Sequence, residues 1–293
     1  MKLPIEAHGV VKQDEHGLLS VRYTKFEASA ENKNCFTLDD KSLGSTKIIT
    51  HLVKDEPIED IPTAWLKLYL LSLRFFKPNE LNFDNVFSVL PNVAWTNNGP
   101  IRAEAFENIV TDENLRLYAV DKFPPMTDYI VPKGVRIADA SRVRLGAYLG
   151  EGTTIMHEGF VNYNAGTEGP NMIEGRISAG VFIGKDSDLG GGCSTMGTLS
   201  GGNEEVIRVG ERCLLGANSG IGISLGNDCT VEAGLYLTAG TKVTMLENNK
   251  VLKALELSGK DGILYFRDSL SGKVCARPNQ GNFKLNEVLH DNN

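Results

Sequence analysis

The chain has 293 residues, with 30 Lys and Arg against 37 Asp and Glu, for a formal net charge of −7. That length supports one large domain or two ordinary ones, and the acidic balance disfavours a nucleic-acid-coating surface. Without a charge-poor apolar tract of about 18 residues, or a basic-then-apolar leader in MKLPIEAHGVVKQDEHG, the expectation is a cytoplasmic protein with neither nucleic acid nor membrane as partner.

Residues 1–130 read as a mixed α/β domain. Gly9–Val11, Leu18–Tyr23 and Thr46–Val53 are expected strands. Thr63–Phe75, with Pro62 in its first turn, is the best helix candidate. Its apolar residues lie on nearly every face, so burial between elements is expected. Further helices are expected over Ile101–Asn108 and after Thr111-Asp112-Glu113-Asn114, where a Thr precedes acids. Pro124-Pro125 and Pro132 then punctuate the chain.

Residues 131–245 differ in kind. Branched apolar residues recur every six positions at Ile137, Val143, Leu149, Ile155 and Val161, then at Ile177, Ile183 and Leu189, then at Val209, Leu215 and Ile221. After a slip they continue at Leu225, Val231, Leu237 and Val243. Of the 31 glycines, 22 fall between Ile137 and Val243, often directly after an anchor, as in Ile183-Gly184 and Leu215-Gly216. Neither the helical period of 3.6 nor the strand period of 2 produces sixes. A triangular coil does, with one short strand and one inward apolar residue per face and tight corners between them. The fifteen anchors amount to about five coils. The sixes fail between Val161 and Ile177 and between Met196 and Val209, where loops leaving one edge are expected, and such loops often bind ligands.

Residues 246–293 leave the repeat. Lys250–Ala254, Gly262–Arg267 and Lys273–Arg277 are expected strands, and LNEVLHDNN an expected frayed helix. Together they are expected to cap the open end of the coil. The five cysteines, Cys35, Cys193, Cys213, Cys229 and Cys275, form no CxxC pair, and most are expected to be small buried hydrophobes. His8, His16, His51, His157 and His290 are scattered.

The segments VRIADASRVRLGAYLGEGTTIMHEGFVNYNAGTEG, MIEGRISAGVFIGKDSDLGGG and CLLGANSGIGISLGNDCTVEAGLYLTAG resemble the tetrahydrodipicolinate N-succinyltransferases, within the hexapeptide-repeat acyltransferases. The likeness is nearest the branch typified by actinobacteria, with its larger N-terminal domain. It covers residues 130–245 and continues less distinctively through LYFRDSLSGKV. The resemblance implies a mainly β protein, a left-handed parallel β-helix (hexapeptide-repeat solenoid) with an N-terminal α/β domain and a small C-terminal β extension. It also implies a homotrimer with sites in the clefts between subunits. The implied reaction moves the succinyl group of succinyl-CoA, a cosubstrate, to the amine of acyclic tetrahydrodipicolinate, with no tightly bound cofactor.

Acyl transfer from a thioester to an amine needs a proton acceptor, donors facing the carbonyl oxygen and a groove for the pantetheine arm. No Ser, His and Asp arrangement is legible in the sequence to suggest a serine acyl-enzyme. By resemblance Glu174 is the catalytic acid–base residue; the plainer reading pairs it with Arg176 to hold a loop. His157 has the residue type of a base and is expected on the inward side unless the corner falls before it, with Glu158 outward. The resemblance places Glu158 near the trimer axis, where a divalent cation such as magnesium is held with a second acid. This chain reads Ala138-Asp139-Ala140-Ser141-Arg142 there, and the departure at Ser141 weakens that metal site. Arg176, Arg142 and Arg144 are candidates for gripping substrate carboxylates in a fork. Gly191, Met196, Gly197, Ala217, Asn218 and Ser219 are candidates for the acyl and CoA channel. Lys250 and Arg277, with Arg208 and Arg212, are candidates for CoA phosphates. An acetyl-CoA-dependent transferase using His157 on the same scaffold, and a non-catalytic solenoid, are the alternatives.

Overall fold

The computed structural model describes residues 2–39, 46–106, 110–200 and 204–281. The chain divides into two compact units, Met1–Pro124 and Pro125–Asn293.

In the first unit, strands β1 (Ile5–Asp14), β2 (Gly17–Ala28), β3 (Cys35–Asp39) and β4 (Lys47–Leu52) form an antiparallel sheet in the order β2-β1-β4-β3. The expected strands fall within β1 and β2 and overrun β4 by one residue at each end; β3 is additional. Helix α1 (Ile61–Ser72) starts where expected, because Asp60 accepts the Thr63 N–H at 2.6 Å and Pro62 sits in the first turn. It stops three residues before Phe75: the Leu73 N–H closes on Tyr69 and Arg74 turns to a left-handed φ of 63°. The helix is buried almost all round, Lys67 included. That ammonium is 2.7 Å from Asp55 Oδ1 and from the carbonyls of Glu56 and Asn82, which satisfies its three donors.

A short helix, α2 (Val86–Val89), leads to β5 (Val93–Thr96), β6 (Gly99–Arg102) and β7 (Leu117–Asp121), a second sheet in the order β6-β5-β7. This sheet overturns two expected helices. Ile101 and Arg102 belong to β6, which returns from β5 through a two-residue turn at Asn97-Asn98, and Pro100 is tolerated because β6 is an edge strand. Residues 107 and 108 of that expected helix lie outside the described residues. At the second site Asp112 Oδ1 accepts the Asn114 N–H at 2.9 Å. This side-chain turn replaces a helical start and delivers the chain to β7.

In the second unit the chain visits three parallel ladders in rotation. The first stacks Ile137, Ile155, Ile173, Leu189, Leu215 and Val231 in register. The second carries Val143, Val161 and Ile177, then Thr195, Ile221 and Leu237. The third stacks Leu149, Thr167, Ile183, Val209 and Leu225. Strands adjacent in sequence belong to different ladders, so each parallel pairing is made one full circuit later without a crossover helix. Every anchor named from the sequence is buried except Ile137, which is intermediate at the first rung. Each such burial contributes roughly 1.5–3 kcal/mol.

The stack is longer than about five coils, because Thr167, Ile173 and Thr195 are anchors too. The expected loop between Val161 and Ile177 is therefore absent. Thr167 and Ile173 keep the sixes, and only the step from Ile173 to Ile177 is shortened, to four residues. Thr167 is buried because its hydroxyl pairs with Thr153 at 2.8 Å. The step from Ile221 to Leu225 is shortened likewise. Between Thr195 and Val209 the chain does leave the ladders, with Thr198 and Val206 bridged antiparallel at the base of the excursion.

Two residues before each first-ladder anchor from Ile155 to Val231 runs a second buried column: Thr153, Asn171, Ser187, Cys213 and Cys229. From Asn171 on, these small polar groups bond carbonyls of their own or the next rung, as with Asn171 Nδ2 to Gly184 O at 2.7 Å and Cys213 Sγ to Gly226 O at 3.0 Å. Two of the cysteines thus serve as buried corner residues. Cys35 alone among the five is not buried.

After Leu237 the strands Lys242–Met245 and Val251–Lys253 pair antiparallel, and Ile263–Arg267 extends the first ladder through Val231 and Tyr265. Val274–Pro278 pairs antiparallel with that last strand. The three expected C-terminal strands are present, whereas LNEVLHDNN lies outside the described residues. No helix among the described residues is long and apolar enough to cross a membrane.

Candidate active site at the first-to-second corner

The corners between the first and second ladders stack into one column. From the first rung onward they contain Asp139–Arg142, His157-Glu158, Glu174-Gly175, Gly190–Gly192 and Gly216–Ser219. A groove of ≈ 560 Å³ runs along this column, lined by Arg142, Glu158, Arg176, Asn218 and Ser219, with Phe160, Gly175, Gly192, Cys193, Ser194 and Tyr236.

The shortened step fixes Glu174. Its N–H bonds Leu189 O at 2.8 Å, which pins the backbone to the rung below. Its carboxylate reaches over Gly191, where an added Cβ would lie 3.4 Å from Oε2. Gly192 adopts a φ of +70°, and a Cβ there would fall 2.5 Å from Asn218 Oδ1. Glycine is therefore required for both the left-handed backbone and the approach of the amide.

Glu174 and Arg176 form no ion pair among the described residues. The Arg176 Nε donates to Ser194 Oγ at 2.8 Å, and the guanidinium is exposed along the groove. Ser219 Oγ is buried, faces no hydrogen-bond partner among the described residues, and belongs to a groove-lining residue. An unpaired buried hydroxyl costs roughly 1–3 kcal/mol, which a ligand atom would recover. Burial pushes the Cys193 thiol up to about 12. This sulfur therefore stays protonated at neutral pH and is a poor acyl carrier.

At the other end, Arg142 lies 3.5 Å from Glu158 Oε2, and His157 Nδ1 lies 3.3 Å from Glu158 Oε1. His157 is 73% exposed, so the corner falls before it and it does not share the inward side of Ile155. Ser141 donates to Asp139 through N–H and Oγ at 2.9 and 2.7 Å, and this holds the Asp139 carboxyl below its usual range. The donor set does not fit a bound cation within one chain. Glu158 is already faced by a guanidinium and an imidazole, and Asp139 by Ser141.

Other candidates lie elsewhere. Arg144 bonds Asn162 Oδ1 at 3.0 Å and stacks over Phe160 at 5.8 Å, at the corner between the second and third ladders. Met196 and Gly197 share that corner, against Gly222 and Ala179. Ala217 is exposed beside Asn218. Lys250 and Arg277 are exposed on the C-terminal strands, with Arg277 over Phe266 at 6.0 Å. Arg212 is engaged by Asp228 at 2.7 Å and Glu211 at 2.8 Å.

Phe160, Ser194 and Tyr236 were not anticipated as site residues. Tyr236 had a signal in Gly220, whose missing side chain makes room for the ring; a Cβ there would lie 2.1 Å from it.

Two family profiles match the chain: "Hexapeptide repeat of succinyl-transferase" over residues 206–239 and "Tetrahydrodipicolinate N-succinyltransferase middle" over residues 90–124. A protein of Pseudomonas putida described as 2,3,4,5-tetrahydropyridine-2,6-dicarboxylate N-succinyltransferase is 58% identical over 255 residues, 84% of this chain and 74% of its own. The chain belongs to the tetrahydrodipicolinate N-succinyltransferase family. Its counterpart in Pseudomonas aeruginosa, of the same description, is 56% identical with the same coverage. A crystal structure from Campylobacter jejuni, described as a 2,3,4,5-tetrahydropyridine-2-carboxylate N-succinyltransferase, aligns with a TM-score of 0.88. It shares 28% identity, over 97% of this chain and 94% of that one.

Proposed function

We propose that this chain transfers the succinyl group of succinyl-CoA to the amine of acyclic tetrahydrodipicolinate. The product is N-succinyl-2-amino-6-oxopimelate, on the route to diaminopimelate and lysine. Family membership across most of the chain carries this reading, and the corner groove supplies the residue types it needs.

In this reading the amine attacks the thioester carbonyl, a C–N bond forms, and Glu174 takes the amine proton. The C–S bond then breaks, and the proton passes to the departing thiolate. Glu174 lies over Gly191, whose backbone permits close approach of the acyl group, and the N–H of Gly191 is the candidate donor to the carbonyl oxygen. Arg142 and Arg176 hold carboxylates, and Asn218 and Ser219 contact the acyl arm. Arg144, His157, Met196, Gly197, Ala217, Lys250 and Arg277 belong to the wider substrate and CoA surface. No step is routed through a cation at Glu158.

Three further parts of the reading concern assembly. The rotating ladders close into a left-handed parallel β-helix over 131–245, between an N-terminal domain (1–130) and a cap (246–293). The chain assembles as a homotrimer, which gives the groove a second wall through a closed three-fold interface. It works in the cytoplasm.

Thiol release by the purified chain tests the reaction. Turnover is expected with succinyl-CoA and tetrahydrodipicolinate, and not with acetyl-CoA and serine or an amino-sugar. The reverse pattern would overturn it.

A further inference from the structure

The N-terminal sheet carries a cluster that the transferase reading does not use. Glu6 and His8 are two residues apart on β1 and therefore share a face. Glu6 pairs across to Glu27 on β2 and to His51 on β4, so one row of ionisable side chains crosses three adjacent strands. His8 Nε2 lies 2.7 Å from Glu6 Oε1 and 3.5 Å from Glu27 Oε2, and the three donor atoms all fall within 4.8 Å of one another.

Several features build this arrangement. The β1–β2 register shifts between His8 and Gly9, a bulge of the kind that re-aims a neighbouring side chain. Only glycine fits the shift, because a Cβ at Gly9 would lie 2.5 Å from Arg22 O. His51 Nδ1 lies 3.5 Å from the second oxygen of Glu6 and 2.9 Å from Ser29 Oγ, which orients the carboxylate from behind. Lys25 Nζ is 2.8 Å from Glu27 Oε1, so the other oxygen is the one turned to His8.

We propose that Glu6, His8 and Glu27 form a binding site for a borderline divalent transition metal ion, of which zinc is the type. Donors about 2.0–2.1 Å from a tetrahedral ion are roughly 3.3–3.4 Å apart, close to the longer of the two separations seen. One imidazole nitrogen with two carboxylates suits zinc better than magnesium or calcium, which take oxygen donors. The ion would tie β1 to β2 and stabilise the unit by mass action. Lys25 is its built-in competitor for Glu27.

The test is calorimetric titration of the full, chelator-treated chain with zinc chloride, paired with thermal melting. One zinc per chain is expected, with a rise in Tm. His8→Asn and Glu27→Gln should lose saturable binding, and Lys25→Ala should bind more tightly than the parent. His157→Ala should bind like the parent, which separates this cluster from the His157–Glu158 pair. No stoichiometric uptake by the parent, or uptake that survives in both ligand variants, would overturn the proposal. If both ligand variants fail to fold, Lys25→Ala decides: zinc affinity equal to or weaker than the parent's would overturn it.

Discussion

Two of the three places where the six-residue spacing fails are opposite in kind. Between Ile173 and Ile177 the chain loses two residues, keeps its ladders and buries both anchors. Between Thr195 and Val209 it gains residues and leaves the ladders. The shortened corner is the one that faces the groove. A tight step leaves its residues little freedom, so Glu174 is fixed over Gly191 by its own N–H and C=O, both bonded to the next rung. A long excursion allows contact at a distance but holds its side chains less rigidly. Reactive groups need geometry fixed to a fraction of an ångström, which the short corner supplies better.

That contrast can be broken in graded steps. Ile177→Ala removes the anchor that receives the shortened step and should cost about 2–5 kcal/mol, read as a lowered denaturation midpoint. A loss no greater than that of a surface substitution would mean the corner is not held by its anchors. Gly192→Ala should cost roughly 1–3 kcal/mol through its left-handed backbone, and should raise KM for succinyl-CoA by displacing Asn218. Unchanged KM would remove Asn218 from the donor channel.

The smallest effect is expected far from both corners. Asp14→Asn breaks the two-point contact with Arg102, at 2.8 and 3.1 Å, and should cost at most about 1 kcal/mol. The Arg102 hydrogen bond lowers the Asp14 pKa in the folded chain. Its contribution is therefore present above the ordinary aspartate pKa of about 3.9 and is lost as pH falls through the lowered value. The parent and Asp14→Asn should thus converge in stability in acid. A difference that widened on acidification would contradict this pairing.

The repeat was legible because one physical demand, an inward apolar residue per face, recurs without a competing signal. It was misread where the inward residue is polar. Thr167 and Thr195 anchor by burying hydroxyls in hydrogen bonds, so a search for branched apolar residues passed over them; the four-residue step to Ile177 hid Ile173 as well, and the strands of Thr167 and Ile173 read as a loop. In the N-terminal unit, two expected helices failed for local reasons. Asn97-Asn98-Gly99 already marked a hairpin, and Asp112 used its side chain to turn the chain. Glu174, Glu158, Arg142 and Arg176 could be named from motif resemblance, but their gathering on one column of corners follows from register. So does the proposed zinc cluster, whose members come together only when β1 and β2 align.

The central claim is that the shortened corner carries the proton transfer, and Glu174→Gln tests it most directly. The variant keeps shape and removes the acceptor, so kcat for succinyl transfer should fall by roughly 10²- to 10⁴-fold, with KM for succinyl-CoA and Tm close to the parent's. A kcat near the parent's, together with collapse of kcat in Glu158→Gln at unchanged Tm, would contradict the account and move the chemistry to the His157–Glu158 corner.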